Sequence, residues 1–322
     1  MSYCSSLEPQ KPQLNSQLLG IIFLGLYLCF CYFFIGLRSD HLQFASFLFI
    51  MLIISKYTRT FTLSMVFYIL YWIIYDAMRI YPNYLFNEIS TSGIYELEKS
   101  IFGIFDNGQL VTLNEYFAIH NSTFLDVMVG IFYLCWVPVP LAISMYLYFW
   151  KKDIPKLLEF SFVFLFINLL GFVLYYLFPA SPPWYIAQNG FEVDYAVIGN
   201  PGNLIKFDQF FNAPIFQNMY TKNANVFAAI PSLHAAYPVI ATYYCVKYRF
   251  KFFAILSIIV TLGIAFSAVY SLHHYLIDVV LGILCAFAGI FIYEKFLSKT
   301  KVNTLLNKFA VYIANQNTKI ED

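Results

Sequence analysis

Three of the five histidines in this 322-residue chain, His234, His273 and His274, stand at the ends of apolar runs, and Asp278 follows His274 by one helical turn. His234 and His274 are 40 residues apart, two membrane passes of about twenty residues each. The chain descends, turns at Lys247/Arg249/Lys251 and returns, so the two histidines reach the same level. Asp278 shares a helix face with His274 by the i, i+4 rule. It also lies one turn inside the apolar run, where an ionised carboxylate is costly unless paired. A single interface histidine is ordinarily just a polar interface residue; the carboxylate beside this pair makes it a candidate site.

A histidine held by a carboxylate through one ring nitrogen is oriented to attack with the other. A second, protonated histidine donates to a leaving oxygen. The expected roles are therefore His274 as nucleophile, Asp278 as its orienter, and His234 as acid and then base, in phosphoryl transfer through a phosphohistidine. Pro231 and Ser232 suit the first turn of a helix. The first turns of the helices after Ser232 and after His274 are expected to aim free N–H groups at one anion, best matched to phosphate. Two histidines and a carboxylate also suit iron or zinc. The sequence has no His-x-x-x-His or His-Glu-x-x-His and no further ligand at such spacing. No metal or cofactor is expected.

The elements that must position these residues are membrane spans. The chain is 60% hydrophobic and 11% charged, against about 25% charged for a soluble domain. The net charge of +1 excludes a basic surface for nucleic acid. The six cysteines form no Cys-x-x-Cys pair, so neither a zinc ribbon nor a redox dithiol is indicated. Eight apolar runs are placed at Leu18–Leu37, Leu42–Ser55, Phe61–Ala77, Leu125–Trp150, Leu157–Phe178, Ser232–Val246, Phe252–Tyr270 and Tyr275–Phe296. The second is short, and Pro138 and Pro140 should kink the fourth.

With eight spans, fourteen Lys and Arg fall on the side of both termini and five on the other. The positive-inside rule then puts both termini in the cytoplasm and the histidines on the outer face. The expected organisation is a cytoplasmic tail (1–16), N-terminal spans with an outer interfacial region (17–124), a catalytic core (125–297) and a cytoplasmic C-terminal tail (298–322). Residues 87–105 read as an interfacial helix. Within the core, the outer loop 179–231 is too long for a simple turn.

Pro231-Ser232-Leu233-His234, then Ser267, then His274-Tyr275-Leu276-Ile277-Asp278 resemble the motifs of the type 2 phosphatidic acid phosphatase superfamily. Two of its features are missing: Ala268 occupies the arginine position beside Ser267, and Lys-x6-Arg-Pro is absent. In place of the latter stands Phe178-Pro179-Ala180-Ser181-Pro182-Pro183-Trp184-Tyr185. That segment, with Ala-x-Pro-Ser-Leu-His and His-His-Tyr-x-x-Asp, is similar to the fungal inositol phosphorylceramide synthases and their bacterial relatives, over about Tyr175–Gly282.

The resemblance implies an all-α polytopic bundle with a six-helix core. It implies metal-independent transfer of phosphoinositol from phosphatidylinositol to a ceramide, releasing diacylglycerol. His234, His274 and Asp278 are the implied catalytic residues. Ser232, Ser267, Trp184, Tyr185 and, as a replacement cation, Arg79 are the substrate-binding candidates, with Lys222 a weaker one.

Water attacking the phosphohistidine instead would make a lipid phosphate or pyrophosphate phosphatase, the alternative reading. A transferase must exclude water, and loop 179–231, with Phe191, Tyr195, Phe207, Phe210, Phe211, Phe216 and Tyr220, is the expected lid. The expected setting is a bacterial inner membrane, or a Golgi membrane in a eukaryote, where Asn121-Ser122-Thr123 would be a glycosylation sequon.

Overall fold

The computed structural model describes residues 16–318. The described residues divide into two compact units, 16–64 with 312–318 and 65–311.

The first unit contains α1 (Ser16–Phe30), prolonged by a π turn to Ile35, then α2 (Ser39–Ile54) and α3 (Lys56–Ser64). Gly20 lets α1 and α2 approach closely, because a Cβ there would stand 2.6 Å from the Leu52 side chain. The reversal between them uses Gly36 at φ +90°, which glycine adopts without steric cost.

The second unit opens with α4 (Val66–Ala77). The interval beyond it folds into α5 (Ser92–Phe102), a hairpin of β1 (Ile104–Asp106) and β2 (Gln109–Val111), and α6 (Leu113–Ile119). The predicted interfacial helix is thus shorter than residues 87–105. The hairpin was not expected; its Asn107-Gly108 turn has both φ values positive, the preference of a type I′ turn. Thr112 and Glu115 cap α6 reciprocally.

α7 (Thr123–Leu134) and α8 (Pro138–Met145), the latter prolonged to Lys151, are bent by 44°. Pro138 lacks the N–H needed to continue α7, and its ring clashes with the preceding turn. α9 (Ile154–Leu177) follows, then the short helices α10 (Pro183–Asn189), α11 (Ile205–Phe211) and α12 (Ile215–Tyr220) of the outer loop. The chain closes with α13 (Leu233–Lys247), α14 (Lys251–Tyr270), α15 (Leu276–Lys295) and α16 (Lys301–Thr318).

Each of the eight predicted runs coincides with a helix or a broken helix pair. Among the described residues, four helices are long and apolar enough to cross a membrane, and six if Lys56–Ser64 with Val66–Ala77 and Thr123–Leu134 with Pro138–Lys151 each form one span. α2 and α13, with 16 and 15 residues, are shorter than a full crossing of about 20. For α13 the reason is its place. Ala235, Ala236, Ile240, Ala241, Tyr244 and Cys245 have no exposed surface, so protein rather than lipid surrounds it. At its far end Lys247 bonds Glu159 of α9 and Glu294 of α15, each at 2.6 Å. The architecture is that of an all-α polytopic membrane protein.

Candidate active site

His234 lies in the first turn of α13, His274 in the turn between α14 and α15, and Asp278 in the first turn of α15. The turn is tight: the N–H groups of His273 and His274 both donate to the Ala268 carbonyl, at 3.1 and 3.0 Å. Leu272 takes a left-handed φ of +65°, a conformation costly outside glycine. The structure brings the predicted pair together, with the His234 and His274 ring centroids 5.8 Å apart at 65°.

The expected orienter needs correction. His274 Nδ1 donates to the Ala229 carbonyl at 3.0 Å, whereas Asp278 Oδ2 stands 3.6 Å away, beyond hydrogen-bond range. Asp278 Oδ2 instead accepts from the Tyr275 N–H at 2.9 Å, and its main-chain carbonyl accepts from the Ser232 N–H at 2.9 Å. Its carboxylate therefore caps the helix beside His274, and its backbone ties α15 to the Pro-Ser-Leu-His segment.

A carbonyl can only accept. His274 Nδ1 must then carry the proton, leaving the Nε2 lone pair free in the neutral ring. Burial holds the His274 imidazole below its ordinary value, at about 4, while the Ala229 carbonyl acts the other way.

His234 has a different kind of partner. Its Nδ1 lies 2.9 Å from the Tyr133 hydroxyl of α7. A hydroxyl donates or accepts by rotating, so it serves both neutral and protonated His234. Trp136 packs edge-on against the same imidazole, at 4.7 Å between centroids. His273 is not part of the pair. It stacks between Tyr220 (4.1 Å) and Tyr133 (5.4 Å), and its Nε2 bonds the Pro201 carbonyl at 2.8 Å.

The two expected helix N-termini differ. At α15 the buried carboxylate of Glu98, from α5, accepts from the Leu276 and Ile277 N–H groups, each at 3.0 Å. At α13 Ser232 is the N-cap residue but its side chain makes no cap bond. Its Oγ is fully buried and has no partner, and the same holds for Asp278 Oδ1. Ser232 Oγ is thus a buried polar atom left without a partner at the start of α13. Gly282 makes the approach possible, since a Cβ there would stand 2.1 Å from the Ser232 carbonyl oxygen.

The other predicted residues fall around this centre. Ser267 is buried and donates to the Gly263 carbonyl within its own helix, at 2.7 Å. The Trp184 N–H bonds the Leu272 carbonyl at 2.8 Å, seating loop 179–231 on the histidine turn. The Tyr185 hydroxyl serves that loop, donating to the Glu192 carbonyl and accepting from the Asp194 N–H, both at 2.7 Å. Arg79 bonds Asp76 at 2.9 Å, the Asn223 carbonyl at 3.1 Å and the Lys222 carbonyl. These bonds tie the end of α4 to the end of the loop. Of the loop aromatics, Phe207, Phe216 and Tyr220 are buried against α7 and the histidine turn, whereas Phe191, Tyr195, Phe210 and Phe211 are exposed.

Three positioning residues escape sequence reasoning. Tyr133 carries no sequence signal beyond lying just before the proline break. Asn114 of α6 is buried and donates to the carbonyls of Val269 and His274, at 2.7 and 3.0 Å. Glu98 had a readable signal: it falls at i+4 from Ile94 on the buried face of α5, and both are buried.

Relatives of the chain show its family. The family profile described as PAP2 superfamily matches residues 109–292. The chain is 46% identical over 292 residues to the phosphoinositol dihydroceramide synthase of Bacteroides thetaiotaomicron, covering 90% of this chain and 95% of that one. It is 32% identical over 165 residues to the inositol phosphorylceramide synthase catalytic subunit of Schizosaccharomyces pombe, covering 48% of this chain and 38% of that one. The corresponding Saccharomyces cerevisiae subunit is 30% identical over 143 residues, covering 44% of this chain and 35% of its own. No solved structure matches. The match to the PAP2 superfamily spans more than half of the residues, and the chain belongs to that superfamily, in its branch of inositol phosphorylceramide-type synthases.

Proposed function

We propose that the protein transfers phosphoinositol from phosphatidylinositol to a ceramide-type lipid through a phosphohistidine on His274, at the outer face of a bacterial inner membrane. The observation that carries the mechanism is the unlike pair of Nδ1 partners, a carbonyl on His274 and a hydroxyl on His234. The named activities of the relatives support the substrates.

His274 Nε2 attacks phosphorus and the bond to the diacylglycerol oxygen breaks. Protonated His234 gives its Nε2 proton to that oxygen. Neutral His234 then takes the proton of the acceptor hydroxyl as this oxygen attacks phosphorus. The P–N bond breaks, and His274 returns to its starting tautomer. Ser232 Oγ and the first turn of α13 hold the phosphate oxygens. Loop 179–231, seated on the histidine turn, excludes water as a lid.

Purified protein with headgroup-labelled phosphatidylinositol, with and without ceramide and in chelator, tests the reading. Labelled lipid product that requires ceramide is expected. Inositol phosphate or free phosphate released at the same rate without ceramide would overturn it in favour of a phosphatase.

A further inference from the structure

Next to the site lies a cavity of about 290 Å³, lined by Leu174 and Phe178 of α9 and its end, Ile230 and Pro231, and Leu281, Leu284, Cys285 and Ala288 of α15. Every lining side chain is apolar. Its upper wall is the segment that continues directly into Ser232 and His234. Along α15 it runs from Leu281, one turn beyond Asp278, to Ala288, a drop of about 10 Å at 1.5 Å per residue. Its floor is protein, with Cys285 only 8% exposed, while Leu284 at 56% and Phe178 at 58% form an open side. A groove walled by the residues that run directly into Ser232 and His234, and lined by apolar side chains, matches an alkyl chain whose headgroup is at the histidines.

We infer that this groove holds one alkyl chain of the acceptor lipid, in the place vacated by a chain of the departing diacylglycerol. The inference rests on the phosphohistidine reading. Displacements at phosphorus are in line, so His274 enters opposite the diacylglycerol oxygen. The acceptor oxygen must then attack opposite His274, in the position diacylglycerol left. Only one proton donor and acceptor, His234, serves both oxygens. The two lipids therefore use one seat in turn, and the groove beside the His234 segment is the chain's path from that seat.

The test uses wild-type protein and a ceramide carrying a photoactivatable diazirine in its acyl chain, with mass-spectrometric mapping of the labelled peptides. Labelling concentrated in residues 174–178 and 281–288, and suppressed by unlabelled ceramide and by diacylglycerol, is expected. Labelling spread evenly over lipid-facing positions such as Ile255 and Leu262, which are 62% and 69% exposed, would mean bulk-lipid contact only and overturn it. Ala288→Trp, a substitution on the lipid-facing side, supplies a kinetic arm. KM for a long-chain ceramide should rise about tenfold, because the indole overfills the groove, with KM for a short-chain ceramide unchanged. Equal KM values for long and short chains in the variant would also overturn it. Headgroup transfer to the short-chain acceptor is the internal control: its absence in wild-type protein would refute the function reading instead.

Discussion

The Tyr133 hydroxyl stands 2.9 Å from Nδ1 of His234. In the proposed cycle His234 keeps its Nδ1 proton while Nε2 gives one up and regains it, so the Tyr133 oxygen accepts from Nδ1–H in both steps. A carboxylate in the same place would favour the imidazolium throughout and resist the first half of the cycle, in which His234 gives up its proton.

Tyr133→Phe removes only that oxygen. kcat is expected to fall about 10- to 100-fold, within the range for general acid–base assistance, with KM for phosphatidylinositol little changed. Both diacylglycerol release and transfer to ceramide should slow, because His234 serves both. A rapid-quench measurement of the two steps checks this; an unchanged kcat would remove Tyr133 from the mechanism.

The pH profile follows from His274. Its folded value is depressed to about 4 by burial, against about 6.5 when unperturbed. The nucleophile must be neutral, so the acid limb of kcat/KM should appear only as pH falls through about 4. Between those two values the unfolded state binds more protons than the folded one. This histidine's contribution to stability is therefore complete above about 6.5 and is lost as pH falls towards 4. An acid limb at 6.5 that disappears in no histidine variant would contradict the assignment.

Glu98→Ala leaves the Leu276 and Ile277 N–H groups without their acceptor. Each buried unpaired group costs about 1–3 kcal/mol, so a lowered unfolding temperature and a fall in kcat are expected. Glu98→Gln keeps one acceptor oxygen and should lie between wild type and Ala in both measurements.

Gly282→Ala forces a methyl group against the Ser232 carbonyl, 2.1 Å from the ideal Cβ. α15 must shift from the Pro-Ser-Leu-His segment, at a cost of about 1–3 kcal/mol, and transferase activity should fall at least tenfold. Gly25→Ala, where a Cβ meets nothing within 4 Å, is the matched control and should be close to neutral.

Arg79→Ala distinguishes a phosphate-binding cation from a clamp on the outer loop. Its bonds to the carbonyls of Lys222 and Asn223 predict an unchanged KM for phosphatidylinositol and more release of inositol phosphate to water. A large rise in KM would place Arg79 at the phosphate instead.

The sequence by itself determined the membrane class, the run positions and the meeting of His234 with His274. Those follow from local quantities: apolar length against bilayer thickness, and two passes of equal length between the histidines. It also named Asp278 and Ser232, because their spacing is helical or adjacent. What only the tertiary structure decided is which atoms pair. The Ala229 carbonyl took the bond expected of Asp278, Glu98 closed the helix end expected to bind phosphate, and Tyr133 reached His234 from 101 residues away. None of these contacts is periodic or local. Each depends on how the outer segment and the α7 break are brought against the histidine turn, and a hydrogen bond decided by a few tenths of an ångström is fixed by packing rather than by spacing along the chain.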